Sequence, residues 1–126
     1  MSRPVVIVVD DDKHLVELLQ SYLEGLGCVV YTGHDGQAAW SLAKIRKPAL
    51  VVMDVDMPFV SGLRALEQMR QDDLTKNIPV ILLTGLPSDT VYPQIASAPN
   101  VSHIKKPVEL EDLGSLVRHY IPSLAA

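Results

Sequence analysis

Only one cysteine occurs in the 126 residues, so Cys28 has no partner for an internal disulfide and no CxxC companion for metal or redox chemistry. It reads instead as a small buried hydrophobe at the start of a strand. No apolar run approaches the roughly 18 residues that span a bilayer, and no signal-peptide pattern opens the chain, which points to the cytoplasm. Positive charge is in short supply. Lys and Arg number 11 against 15 Asp and Glu, a formal charge of −4, which gives this domain no general electrostatic reason to bind nucleic acid or an anionic membrane. Repeats and low-complexity tracts are missing too. His14, His34 and His119 have no metal-ligand spacing and read as surface residues, while Trp40, Met53 and Met69 read as core or helix packing. What remains is ordinary: 48% hydrophobic and 21% charged residues in a length suited to one domain, 1–126. That unit suits a stand-alone domain or the front of a longer protein.

The informative feature is how the apolar runs end. Leu50-Val51-Val52-Met53 stops at Asp54, and Val55-Asp56-Met57-Pro58 follows, as expected of a buried strand that carries an acid out at its carboxyl end. Val5-Val6-Ile7-Val8-Val9 runs into Asp10-Asp11-Asp12. Val80-Ile81-Leu82-Leu83 runs into Thr84-Gly85, and a fourth run over 101–105 ends beside Lys106-Pro107. Carboxylates, a hydroxyl and an ammonium would thus meet at one edge of a parallel sheet.

Between the strands the period changes from two to that of a helix. Asp12 reads as an N-cap before Leu15, Leu18, Leu19, Tyr22, Leu23 and Leu26, and Gly25 and Gly27 supply the stop. A strand over 28–31 follows. Asp35 can cap a helix over 37–46, with Ala39, Trp40, Leu42, Ala43 and Ile45 apolar. Leu63, Leu66 and Met69 mark a helix over 63–71, and Leu110, Leu113, Leu116, Val117 and Tyr120 mark the last, over 109–120. The stretch 89–98 is expected to be helical but short or bent, because Pro93 sits inside it. Five strands alternating with five helices select an α/β fold, a doubly wound five-stranded parallel sheet of order 2-1-3-4-5. Its winding reverses between strands one and three, and the crevice there would hold Asp10, Asp11 and Asp54.

Several carboxylates at one spot repel one another unless a cation neutralises them, and hard oxygen ligands without nearby histidine or cysteine favour Mg²⁺. Asp10, Asp11, Asp54 and a backbone carbonyl, that of Asp56, supply such a set. The site suits phosphoryl transfer with Asp54 as nucleophile, forming an aspartyl phosphate that Thr84 and Lys106 stabilise. Lys105 and Lys106 point to opposite sides of an extended chain, so only one enters the site. The proline-adjacent Lys106 is the expected one.

At this point the chain resembles a response-regulator receiver domain of two-component signalling. The resemblance rests on Val8-Val9-Asp10-Asp11-Asp12, on Asp54-Val55-Asp56-Met57-Pro58 with Gly62, on Thr84-Gly85 and on Lys106-Pro107, in order and at the family's spacing. It implies a (βα)5 flavodoxin-like fold and a phosphoryl group received on Asp54, with Mg²⁺, from a sensor histidine kinase or phosphotransfer protein. It also implies a cis bond before Pro107, and no enzymatic activity beyond the chain's own phosphorylation and dephosphorylation. In the resemblance, the segment after strand four, the final strand and the final helix form a face used for homodimers or partner docking. Two positions depart from the pattern. His103 stands at the switch position where the family often has an aromatic residue, and Val108 stands where Phe often follows the lysine and proline.

Two other readings compete. The apolar run followed by Asp54-Val55-Asp56 also fits haloacid-dehalogenase-like phosphatases, but those place the motif on their first strand and a further acidic motif late in the chain. A receiver-like scaffold that is not phosphorylated is the other, favoured only by His103 and Pro93.

Overall fold

Each apolar run forms a strand, and each strand lies parallel to its neighbours. The computed structural model describes residues 3–85 and 98–124. In chain order these residues form β1 (Val5–Val9), α1 (Lys13–Gly25), β2 (Val29–Gly33), α2 (Gly36–Arg46), β3 (Leu50–Asp54), α3 (Gly62–Gln71), β4 (Val80–Thr84), β5 (Val101–Lys105), α4 (Leu110–Tyr120) and a 3-10 turn (Pro122–Leu124). The sheet order is β2-β1-β3-β4-β5, as the sequence predicts. The helix expected over 89–98 falls, apart from Ala98, outside the described residues.

Alternation of side chains along the strands builds two cores. Val6, Val8, Leu50, Val52, Ile81 and Leu83 pack on one face with Val16, Leu19 and Leu23 of α1 and Leu113 and Val117 of α4. On the other face Ile7, Val9, Val51, Met53, Val80 and Leu82 meet Ala39 and Ala43 of α2 and Ala65, Leu66 and Met69 of α3. A sheet covered on both sides explains why these strands read as unbroken apolar runs. Cys28 is buried, as expected.

Two leucine-like positions depart from expectation. Leu18 is 51% exposed and Ile45 is 70% exposed. Val16, Leu19 and Leu23 define the buried stripe of α1, and Leu18, one position before Leu19, is turned about 100° from it. Ile45 stands off the Ala39 and Ala43 stripe of α2 for the same reason.

Caps fix where the helices begin and so where the strand ends release the chain. The Asp12 carboxylate accepts from the backbone N–H groups of His14 and Leu15, at 3.0 and 3.2 Å. Asp35 accepts from Ala38 N–H at 2.8 Å, and Ser61 Oγ from Arg64 N–H at 3.2 Å. Reversal of winding between β1 and β3 leaves a crevice at their carboxyl ends, where Asp10 follows β1 and Asp54 closes β3.

Candidate functional site at the carboxyl edge of the sheet

Asp10 leaves β1 at the one point where its neighbours on both sides are also ending. Its carboxylate is fully buried. One oxygen accepts from the Asp12 N–H at 2.9 Å, and the other lies 2.9 Å from the Lys106 ammonium. Lys106 also stands 3.4 Å from an Asp54 oxygen. It follows β5, while Asp54 ends β3, so one cation ties together carboxylates from two strands. Lys105 faces solvent, as the alternation predicts. The Lys106–Pro107 peptide bond is cis.

Asp11 is exposed at the mouth, yet one oxygen from each of Asp10, Asp11 and Asp54 lies within 4.8 Å of the others. A single ammonium leaves this trio of carboxylates with a net negative charge. That donor set fits a hard divalent cation held by oxygen. Asp54 and Thr84 are buried, each 4% exposed, and Asp56 is exposed in the loop beyond β3. Thr84 is the last residue of β4, and its carbonyl accepts from the Lys106 N–H at 2.7 Å, which couples the ends of β4 and β5.

Burial pushes the Asp54 carboxyl above the usual carboxylate range, and the Asp10 charge adds to it; Lys106 and the nearby Asp56 N–H oppose it. Burial by itself would lower the Lys106 ammonium, but the hydrogen bond and charge of Asp10, then Asp54, outweigh it and hold it above the ordinary lysine range. For Asp54 the folded state binds the proton more tightly than the unfolded chain. Stability carried by this group is therefore present in acid and lost as pH rises through the folded value. Asp54→Asn is expected to melt at a higher temperature than the parent at neutral pH without metal. The difference should close as pH falls through the folded value and be gone below about 3.9, where an unfolded aspartate also holds its proton. Melts in EDTA from acid to neutral pH check this; a constant difference would contradict it.

The structure brings together Asp10, Asp11, Asp54 and Lys106, with Thr84 beside them at the end of β4. His103 lies on β5, half-buried opposite Leu82, and lines a surface groove with Lys105, Asp112 and Leu116. One neighbour was missed by sequence reasoning. His34, exposed as expected, also donates from Nδ1 to the Asp10 carbonyl at 3.0 Å. The signal was available in the register: Val9 pairs with Gly33, so the residues after them fall side by side.

The loop out of β3 was legible only in part. Gly62 N–H donates to the Val55 carbonyl at 2.9 Å, and Gly36 N–H to the Val60 carbonyl at 3.1 Å. A Cβ at Gly62 would fall 2.1 Å from the Asp54 carbonyl oxygen, and one at Gly36 would fall 2.4 Å from that of Val60. Both positions need glycine because backbone approaches backbone. Phe59, between these anchors, is 99% exposed. Elsewhere, a cavity of about 260 Å³ between α3 and the residues before β5 is lined by Leu63, Leu66, Glu67, Arg70 and Pro99. It is mostly apolar and lies away from the carboxylates, so the chemistry belongs to the acidic crevice.

Comparison with known proteins agrees with this geometry. Residues 6–118 match the family model described as response regulator receiver domain. The alkaline phosphatase synthesis transcriptional regulatory protein PhoP of Bacillus subtilis is 40% identical over 80 residues, covering 64% of this chain and 32% of PhoP. The polar-differentiation response regulator DivK of Brucella anthropi is 27% identical over 116 residues, covering 92% of this chain and 94% of DivK. The crystal structure of the receiver domain of sensor histidine kinase PA1611 from Pseudomonas aeruginosa, which has magnesium coordinated in its active-site cleft, superposes with a TM-score of 0.83 at 22% identity. That match covers 96% of this chain and 99% of the other. The chain spans about a third of PhoP and under half of two further curated relatives.

Proposed function

Because the chain belongs to the response regulator receiver domain family, matched over residues 6–118, we propose that it is a phosphorylation-driven switch with Asp54 as acceptor. The observation that carries this reading is the cluster itself: buried Asp54 within 4.8 Å of Asp10 and Asp11, and 3.4 Å from Lys106. The phosphoryl donor is phosphohistidine on a sensor histidine kinase or phosphotransfer protein. An Asp54 oxygen forms the new P–O bond as the P–N bond breaks, and the leaving imidazole keeps the electron pair and takes up a proton. Asp10, Asp11 and Asp54, with the Asp56 backbone carbonyl, would hold Mg²⁺, which supplies charge neutralisation for the phosphoryl oxygens. Lys106 and Thr84 hold the other oxygens by an ion pair and a hydrogen bond.

Product formation moves the ammonium and the hydroxyl. Lys106 would exchange part of its Asp10 and Asp54 pairing for the phosphoryl group, and Thr84 would turn toward it. Their backbones are joined at 2.7 Å, so the ends of β4 and β5 shift together and bias the surface beyond them, His103 included. That surface is the face proposed for a homodimer or an output partner. The chain turns over no other substrate, binds no nucleic acid itself and works in the cytoplasm. Among the described residues no helix is long and apolar enough to cross a membrane. The phosphatase reading loses its ground, because Asp54 ends the third strand and its acidic companions stand upstream, just after the first.

Incubation with phosphoramidate tests the proposal. Intact mass should show one added phosphoryl group with Mg²⁺ and none in EDTA, and Asp11→Asn should need a higher Mg²⁺ concentration for the same labelling. A chain that binds Mg²⁺ yet gains no phosphoryl group would favour the inert scaffold.

A further inference from the structure

Phe59, the sole phenylalanine of the chain, is the residue that the chemistry of the crevice leaves unused. It is 99% exposed, and its φ of 67° lies in the left-handed region that bulky side chains avoid. Val60 N–H donates to the Pro58 carbonyl at 2.8 Å, so Phe59 is the middle of a three-residue turn of the rare, strained kind with positive φ. Neighbouring backbone keeps that turn in place. On its far side the Val60 carbonyl accepts from Gly36 N–H at 3.1 Å, and Gly62 is pressed against the Asp54 carbonyl. A bulky aromatic ring is thus presented to water on a pinned turn, where it touches nothing and the ordering cost of its backbone is already met. Such preorganised aromatics are what interface anchors consist of.

Position selects the occupant. Asp54 is 4% exposed at the end of β3, and Phe59 stands five residues further on, in the loop that leaves it. A phosphohistidine carried on a protein reaches Asp54 only if the donor's surface covers the rim of the crevice, whereas a small phosphodonor needs no rim. We propose that Phe59 is a docking contact for the protein that delivers the phosphoryl group, its ring entering an apolar depression beside the phosphohistidine. This rests on the reading of Asp54 as acceptor, and the experiment separates the two.

Purified histidine kinases from the source genome, autophosphorylated with ATP, are first ranked by transfer to the parent chain, and the fastest is the probe. Phe59→Asn tolerates positive φ, and Phe59→Trp keeps an aromatic ring. Transfer from the kinase to Phe59→Asn should fall in kcat/KM by about thirtyfold, as for a truncated hot spot. Phe59→Trp should retain most of it, and labelling of either variant by phosphoramidate and Mg²⁺ should match the parent. Kinase transfer unchanged in Phe59→Asn overturns the proposal, as does an equal loss with both donors, which would make the residue a brace for the loop. Loss of a dimer by size-exclusion chromatography with kinase transfer intact overturns it in favour of a second copy. A parent chain that phosphoramidate does not label overturns the acceptor reading instead.

Discussion

Gly62→Ala is expected to destabilise the fold by about 3 kcal/mol and to slow phosphorylation of whatever remains folded. The added Cβ would stand 2.1 Å from the Asp54 carbonyl oxygen, 2.9 Å from its carbon and 3.0 Å from the Val55 Cα. All three are backbone atoms, so no rotamer change relieves the clash. Either the first turn of α3 retreats or the end of β3 moves, and the residue displaced is the proposed phosphoacceptor. Gly25→Ala provides the contrast. Nothing lies within 4 Å of a Cβ there, at the last residue of α1, so that variant should be neutral or more stable by about 0.5 kcal/mol. Denaturant unfolding of both variants checks the pair. Equal stabilities would mean that the loop leaving Asp54 is not held by backbone contact.

Lys106→Met is the second large effect, a loss of about 3 kcal/mol in the absence of metal. Methionine keeps much of the side-chain length and removes the charge. Asp10, fully buried and paired at 2.9 Å, would then face Asp54 with no cation between them. Leaving one buried charge uncompensated costs far more than the pair contributes. The loss should therefore shrink in acid, where Asp54, its carboxyl pushed up by burial and by the Asp10 charge, takes a proton and no longer opposes Asp10. It should also shrink when Asp10→Asn is added, because the amide oxygen can still accept from the Asp12 N–H, now at 2.9 Å from the Asp10 carboxylate. Two single variants whose losses simply add in the double variant would contradict this coupling. In function, Lys106→Met should still accept phosphoryl groups but fail to couple them to β5.

How far the sequence could be read follows from the range of the interactions. Strand positions, the sheet order and the acids at the strand ends were legible because apolar runs and the residues that stop them are local signals. Choosing Lys106 over Lys105 took two local facts, the alternation of an extended chain, which admits only one of them, and the proline beside Lys106. Leu18 and Ile45 were misplaced because both lie close in sequence to truly buried positions, and a few apolar residues on a short helix do not fix its stripe. The His34 contact with Asp10 depends on which residues the register of β1 and β2 sets side by side. Phe59 carried no periodic signal at all. Its exposure follows from the turn that the bond between Gly36 and Val60, far apart in sequence, helps to hold, and no local pattern announces that bond.

The location of the phosphoryl group tests the central claim most directly. Borohydride reduces an aspartyl phosphate to homoserine, and peptide mass spectrometry after labelling with phosphoramidate and Mg²⁺ reads the position. Homoserine should appear at position 54 and nowhere else, and Asp54→Asn should yield none. Homoserine at position 10, 11 or 56 with Asp54 intact would contradict the account.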